Sequence, residues 1–448
     1  MHCGYIVKVK ELKPHCNANK LQLATFFGET VCVGLDVKIG DIGIYFPCDL
    51  QLSIEYCDSN NLCRKKADGS EGSGYLDRDK RNITAIRLRG EKSFGLFMPL
   101  SSIEYTGVDI DTLNVGDTIT VVNGHEICQK YIPHTNPRRI HEGGNRTRKK
   151  KVNIAPMFAE HADTEQLAYN LSAFRPGDEI EITLKMHGTS QRTAHLPVLV
   201  GYKKRKFWEW LLRLEKEPVY EYGYVSGTRR VVLENYDGGF YGDNSFREQH
   251  SKKFEGKLWA GETVYYEVVS YTSTGTPIMG ECKTPKEAQD IYGKTTIFHY
   301  GIESPNSELY VYRMTLTTPD GNVVEYTPDF MRYRCEMMGV KTVPIMWKGV
   351  IPPDEWVEEC YDCEGEWGLW RGTREETPGD WIKNKAEEYY DGPDPIGKTH
   401  VREGVVVRIL NRPKFTAYKH KNFLFKQITG IIKEQTNSEL SEDIMQEL

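Results

Sequence analysis

The hydrophobic pattern divides the chain in two. Over residues 1 to about 130 it alternates with period two in short runs, each broken by Gly, Asp or Asn. The runs at 5–9, 21–26, 30–35, 42–47, 83–88, 94–99 and 118–122 are rich in β-branched and aromatic residues and read as strands. Many short strands with frequent turns predict a small all-β unit, and the expectation is an OB-like β-barrel over residues 1–133. In 83–96, Arg87 and Arg89 alternate with apolar residues and would share a wet face suited to phosphates. Residues 52–80, polar and rich in Gly and Ser, read as a mobile excursion.

Residues 134–153 lose the alternation. Pro137, the pair Gly143-Gly144 and a run of basic residues mark them as a linker. From 154 to about 430 strand and helix patterns mix, which makes the chain as a whole α+β. Segments 222–226, 263–270, 310–315 and 404–410 read as strands, and 246–257 has helical spacing. Residues 352–400 shift in composition, with Trp356, Trp367, Trp370, Trp381 and many acids between prolines, and read as an inserted lid or subdomain. Residues 431–448 form a C-terminal tail.

The pattern is most telling at EITLKMHGTS, residues 181–190. An apolar alternation ends at Lys185, and a histidine, a glycine and two hydroxyls follow. This sets Lys185 at the end of a strand, with Gly188 placed to let the backbone approach a ligand closely. A lysine can act as a nucleophile once burial or neighbouring cations favour its neutral form. The same arrangement is common in surface lysines, so the reading depends on partners elsewhere.

Four further segments supply them. Tyr265-Tyr-Glu-Val-Val269 puts Glu267 inside an apolar strand, where a carboxylate needs a partner such as a ribose hydroxyl or a hydrated cation. Leu309-Tyr-Val-Tyr-Arg313 offers Tyr312 as a ring for a base or for the core. Glu403-Gly-Val-Val-Val-Arg408 sets a carboxylate at the mouth of another strand. Tyr418-Lys-His-Lys-Asn422 alternates Lys419 and Lys421 on one face, where like charges repel unless an anion lies between them.

These segments, in this order, resemble the covalent nucleotidyltransferase family of ligases and capping enzymes. Lys-x-His-Gly-Thr-Ser and Lys-x-Lys-Asn are similar to the RNA ligases in particular, although Ser190 stands where that branch commonly has asparagine. Only 23 residues follow Phe425 (448 − 425), too few for the C-terminal OB domain of DNA ligases and capping enzymes. With the barrel in front instead, the chain resembles the Naegleria and Deinococcus type. The resemblance implies a ligase-type domain of antiparallel sheets and flanking helices over 154–430. It implies that Lys185 takes AMP from ATP, that Lys419 and Lys421 neutralise phosphate, and that Glu403 and Glu267 hold Mg²⁺ or Mn²⁺. It further implies that His187, Gly188, Thr189 and Tyr312 contact the nucleotide, with Arg229 or Arg230 of Gly227-Thr-Arg-Arg230 on a phosphate. The partner would be RNA with broken or nicked ends. The other readings are a DNA ligase, a capping guanylyltransferase, or a non-catalytic RNA-binding protein on a ligase-like core.

Composition adds little and excludes some classes. At 448 residues the chain should form two or three domains. No stretch approaches the ~20 apolar residues of a membrane span, and the N-terminus has no apolar run of signal-peptide length. Eleven cysteines without framework spacing suit reduced thiols and an intracellular setting, and the lone Cys360-x-x-Cys363 is a poor zinc signal. The net charge of −6 does not itself call for a nucleic acid. The distribution does: Arg138, Arg139, Arg146, Arg148 and Lys149–Lys151 crowd the linker, and Lys203, Lys204, Arg205 and Lys206 precede Phe207, Trp208 and Trp210. Basic residues interleaved with aromatics suit phosphate contact and base stacking.

Overall fold

The computed structural model describes residues 2–48, 50–65, 69–70, 72, 74–131, 154–162, 164–206, 208, 212, 216–233, 236, 241–361, 367–373 and 376–429, the side chains of 356–361 and 367–373 excepted. The basic linker, the C-terminal tail from 431, Phe207, Trp210 and Cys363 lie outside them. The chain divides into two compact units, residues 1–144 with 429–448, and residues 145–428.

The first unit is mostly antiparallel β. Strands β1 (Gly4–Lys8), β2 (Leu12–Pro14), β3 (Leu21–Phe26), β4 (Glu29–Gly34), β5 (Ile42–Phe46), β6 (Leu96–Pro99) and β7 (Thr118–Ile119) fall within one or two residues of the alternating runs, apart from the short β2, which no run anticipates, and β7, which stops three residues short of its run. A four-stranded sheet has the order β7-β1-β5-β6, and β2-β3-β4 form a meander. Among the described residues these pairings form open sheets and ribbons, and a closed OB-like barrel is not found. Residues 52–80 are also more ordered than their composition suggests. They carry helix α1 (Ile54–Ser59), capped by the Ser53 hydroxyl, and they bury Tyr56, Leu62, Tyr75 and Leu76 in the core of this unit. Apolar residues spaced widely among polar ones conceal a core contribution from a pattern search. The strand around Arg87 ends at Leu88, and Arg89 turns away with a positive φ of 44° before Gly90. Arg87 and Arg89 therefore do not share a strand face.

The second unit holds two large sheets joined by the Lys185 segment, and two two-stranded ribbons, Cys282–Lys283 with Thr295–Thr296 and Glu355–Tyr361 with Trp367–Thr373. The first sheet has five strands in the order β8-β16-β15-β9-β14: β8 (Glu165–Gln166), β9 (Glu179–Leu184), β14 (Ile345–Val350), β15 (Gly404–Ile409) and β16 (Thr416–Lys421). The second is built on β11 (Pro218–Gly227), β10 (Thr189–Tyr202), β12 (Glu262–Ser270) and β13 (Ser307–Thr317), in that order, with three short strands completing it. Pairing is antiparallel throughout except β8 on β16 and Lys341–Thr342 on β13. The helices are α2 (Ser245–Lys252), α3 (Pro328–Met338), α4 (Pro378–Tyr390) and α5 (Phe423–Ile428). Thr327 and Thr377 cap α3 and α4, each followed by a proline in the first turn.

Strand parity sorts the residues of the first sheet. Ile180, Ile182 and Leu184 on β9 and Val405, Val407 and Ile409 on β15 are buried. Except for Leu184 they form one core with Ile382 and Ala386 of α4. Helix α4 lies in the segment that composition set apart as a lid or subdomain, yet it covers the sheet that carries Lys185. Burying these side chains, at about 1.5–3 kcal/mol each, fixes which face of β9 and β15 turns outward.

Candidate active site

The outward parity builds the floor of a cleft. On β9 it presents Glu181 and Thr183, with Lys185 one step past the strand end. The register aligns Thr183 with Val406 and Val406 with Lys419, and Glu181 with Arg408 and Arg408 with Ala417. Glu181, Thr183, Lys185, Val406, Arg408 and Ala417 all line the cleft. The second sheet and the loop after β11 supply the opposite wall, with Glu267, Tyr312 and Arg229. The space enclosed is about 820 Å³, solvent at the mouth included.

Lys185 is held at the rim from two sides. Its backbone N–H donates to the Gly404 carbonyl at 3.0 Å. Its Nζ stands 2.9 Å from Oε1 of Glu403, and Lys421 Nζ stands 3.1 Å from the same oxygen. His187 Nδ1 is 3.4 Å from Oε2. The glutamate is 3 % exposed. Burial pushes its carboxyl upward, and Lys185, Lys421 and His187 together outweigh burial and hold it well below the usual carboxylate range. Gly404 makes the arrangement possible. Its φ is +137°, and a Cβ there would lie 2.0 Å from the His420 carbonyl oxygen.

Glu267 has the opposite fate. It sits on β12 opposite Ser190 of β10 and Tyr310 of β13. Among the described residues its carboxylate accepts no hydrogen bond. Burial lifts it to about 7, the negative charge of Glu403 adds to the rise, and Lys185, Arg229 and Arg247 only partly offset it. Tyr312 occupies the irregular step between β12 and β13, where the register shifts beside Tyr265 and Tyr266. Its hydroxyl shares a hydrogen bond of 3.1 Å with Ser190 Oγ.

The remaining sequence candidates take other places. Gly188 does not open the backbone to a ligand: a Cβ there would lie 2.3 Å from the Val268 carbonyl oxygen, so the glycine lets β10 lie against β12. Thr189 Oγ1 accepts a hydrogen bond from Arg247, whose guanidinium also donates to the Ser190 carbonyl at 3.2 Å. His187 packs edge-on between Phe298 at 4.6 Å and Phe425 at 4.7 Å, and its N–H donates to Tyr300 Oη at 2.7 Å. It thus reaches the site through Glu403. Arg229 lines the cleft, and Arg230 is not among the lining residues.

Sequence reading missed a second set of groups. Phe415 lies between two guanidinium groups, Arg313 at 4.5 Å and Arg408 at 5.0 Å, and both arginines pair with Glu325. His161 also lines the cleft, 5.2 Å from the Tyr312 ring, and its Nδ1 accepts from Arg313 at 3.3 Å. Arg332 meets the buried Glu181 at 2.8 Å. Glu181 was legible by parity, because it shares the outward face of Lys185, whereas Arg408 is turned outward by the register with β9. His161, Arg332 and Phe415 come from loops and a helix with no local signal.

Solved structures carry the same architecture. The Naegleria gruberi RNA ligase with PPi superposes with a TM-score of 0.55 at 15% identity, over 95% of this chain and 98% of that one. A single-residue variant of that enzyme with ATP and Mn gives 0.54 at 16% identity over the same shares. Another, with AMP and Mn, gives 0.53 at 15% over 94% and 98%. The fold is that of the ATP-dependent RNA ligases. No protein-family model matches the sequence, and no curated protein does. On this ligase fold Lys185 stands at the junction between the two sheets, at the rim of the cleft.

Proposed function

We infer that the chain is an ATP-dependent RNA ligase that joins a 3′-OH end to a 5′-phosphate end. The observation that carries the reading is the cluster of Lys185, Lys421 and His187 on the buried Glu403, at the rim of the cleft between the two sheets. Lys185 Nζ attacks the α-phosphorus of ATP, a nitrogen–phosphorus bond forms, and pyrophosphate leaves. The AMP then passes to the RNA 5′-phosphate and frees the lysine. The 3′-OH attacks that activated end and AMP departs. Such transfers ask the protein mainly for positioning and charge stabilisation. Lys419, in the cross-strand row of Thr183 and Val406, and Lys421 face phosphate, Arg229 grips it from the other wall, and Tyr312 and His161 present rings to the base.

The similar Naegleria RNA ligase variants are complexes with ATP and Mn or with AMP and Mn. The group here that fits a divalent cation is Glu267, a carboxyl in the cleft wall with no hydrogen bond among the described residues and a raised affinity for protons. Glu403 already meets two lysines, so it joins such an ion only by exchanging one of them. A bound Mg²⁺ or Mn²⁺ would supply charge neutralisation for the triphosphate. The N-terminal unit, OB-like in this reading, positions RNA.

Incubation with α-labelled ATP and metal should leave label on the protein, and Lys185→Ala should abolish it. Lys185→Ala should still seal RNA that already carries a 5′-adenylate. Label from GTP in place of ATP, or sealing of DNA nicks alone, would replace this reading with a capping enzyme or a DNA ligase.

A further inference from the structure

The hairpin that leaves the active site carries an exposed aromatic face. Strand β10 starts at Thr189, four residues past Lys185, and β11 returns to Gly227, two residues before Arg229. From Arg192 to Ala194, β10 pairs with both β11 and β12, but from His195 to Tyr202 its strand partner among the described residues is β11 alone. The hairpin therefore runs past the sheet as a two-stranded ribbon. One face of the ribbon packs Leu196 and Val225 into a small core with Phe158. The other presents Tyr220, Tyr222 and Tyr224, at 38%, 48% and 37% exposure. Alternate residues of a strand share a face, so the three rings form a ladder.

The ladder is held in place from behind. The Tyr224 hydroxyl accepts from the Gly256 N–H at 2.7 Å, and its ring stacks on His195 at 4.6 Å with only 11° between the planes. His195 Nδ1 donates to the Leu258 carbonyl at 3.1 Å. Aromatic rings fixed before binding lose little entropy when they bind. At the far end of the ribbon stand Lys203, Lys204, Arg205, Lys206 and Lys216. Among the described acids there, Glu217 is taken up by Lys203 at 2.7 Å, and Glu221 alternates to the opposite face from the tyrosines.

Resting on the ligase reading for the identity of the nucleic acid, we propose that this ribbon is a binding surface for single-stranded RNA. Its tyrosines stack unpaired bases and its basic end holds phosphates. Tyrosines two residues apart repeat every ~6.8 Å, twice the ~3.4 Å rise of a stacked strand, so the ladder selects an unstacked strand over a duplex. Bases splayed onto aromatic rings are the usual mode of single-strand recognition. At ~3.3 Å per residue the ladder begins about 20 Å from Thr189 and ends about 33 Å from it. The ribbon thus holds the strand several nucleotides from the reacting end.

The test measures binding of a fluorescent oligouridylate of about 20 nucleotides and of a blunt RNA duplex of that length, with full-length protein. Wild type should prefer the oligouridylate. Tyr220→Ala with Tyr222→Ala should weaken it at least about tenfold, in line with base stacking on aromatics. The corresponding Phe pair should bind as wild type, and lysyl-AMP yield should be unchanged in both. Unaltered oligouridylate binding by the Ala pair overturns the proposal. So does a Phe pair as weak as the Ala pair, or a change in sedimentation of the protein alone with RNA binding intact, which would mark a face for a second protein. Where the Ala pair does not fold, Tyr220→Ala alone, at the outer end of the ladder, carries the same comparison. If wild type forms no lysyl-AMP, the ligase reading fails, while the oligouridylate result still decides the fate of the ribbon.

Discussion

Replacing Glu267 by glutamine should make the protein more stable at alkaline pH. The carboxyl moves from an ordinary 4.5 to about 7 on folding. At ~1.4 kcal/mol per pH unit, the ionised form is disfavoured in the folded chain by about 3 kcal/mol. Because the folded value lies above the unfolded one, folding favours the protonated group. Its contribution is intact below about pH 4.5 and is lost as pH rises through 7. Glutamine is neutral throughout and loses nothing over that range. The Glu267→Gln protein should therefore gain on wild type by up to about 3 kcal/mol between about pH 4.5 and pH 8.5, which is about 5 °C or more in Tm for a unit of this size. Thermal or urea unfolding of both proteins across that range measures the difference, and titrations common to both cancel. Mn²⁺ should stabilise wild type at pH 8.5 and have less effect on the variant, since it competes for the ionised carboxylate. Parallel pH profiles for the two proteins would refute the assignment of a strained, cation-seeking carboxylate to the cleft wall.

Lys419→Ala and Lys421→Ala should each lower the rate of lysine adenylylation by about two orders of magnitude, the usual cost of a well-placed charge-stabilising group, as read by label transfer from α-labelled ATP. Glu403→Gln should do comparable damage. It should also draw the Glu267 pKa downward, because it removes the nearby negative charge and releases Lys185, and the pH at which stability falls would shift with it. A chain beginning at Asn153, checked for folding by circular dichroism, should form lysyl-AMP and seal RNA poorly, because every residue lining the cleft lies between His161 and Ala417. Sealing by that shortened chain at the full-length rate would remove the N-terminal unit from the RNA site.

Much of the second unit was legible because strand parity is a local property. In IEITLK the apolar positions 180, 182 and 184 face the core, and that alone turns Glu181, Thr183 and Lys185 outward together. In GVVVRI three valines in a row show no alternation, and it is the register with β9 that turns Val406 and Arg408 outward. Strand existence was read nearly to the residue for β12 and β15, and as the middle of the longer β13. The first unit was harder. Its strands were found, but whether they close a barrel depends on pairings between distant segments, and those do not show in a period-two pattern. Tyr56, Leu62, Tyr75 and Leu76 were missed because buried residues in irregular backbone follow no period at all.

Parity gives a face and leaves the partner open. Glu403 and Glu267 look alike in sequence, each a carboxylate at or within an apolar strand. The fold separates them. Antiparallel pairing of β15 with β9 brings Gly404 to the Lys185 amide, and pairing of β15 with β16 sets Lys421 opposite Gly404. Glu403, next in the chain, inherits both lysines and stays ionised. Glu267 lies across the cleft on the other sheet, within reach of the field of those cations but bonded to none of them. Desolvation then dominates and its affinity for protons rises. Two carboxyls whose environments push their pKa values apart suit different purposes: in the proposed reaction one would anchor the nucleophile, and the other would exchange a proton for a metal ion. The division depends on which strands are neighbours.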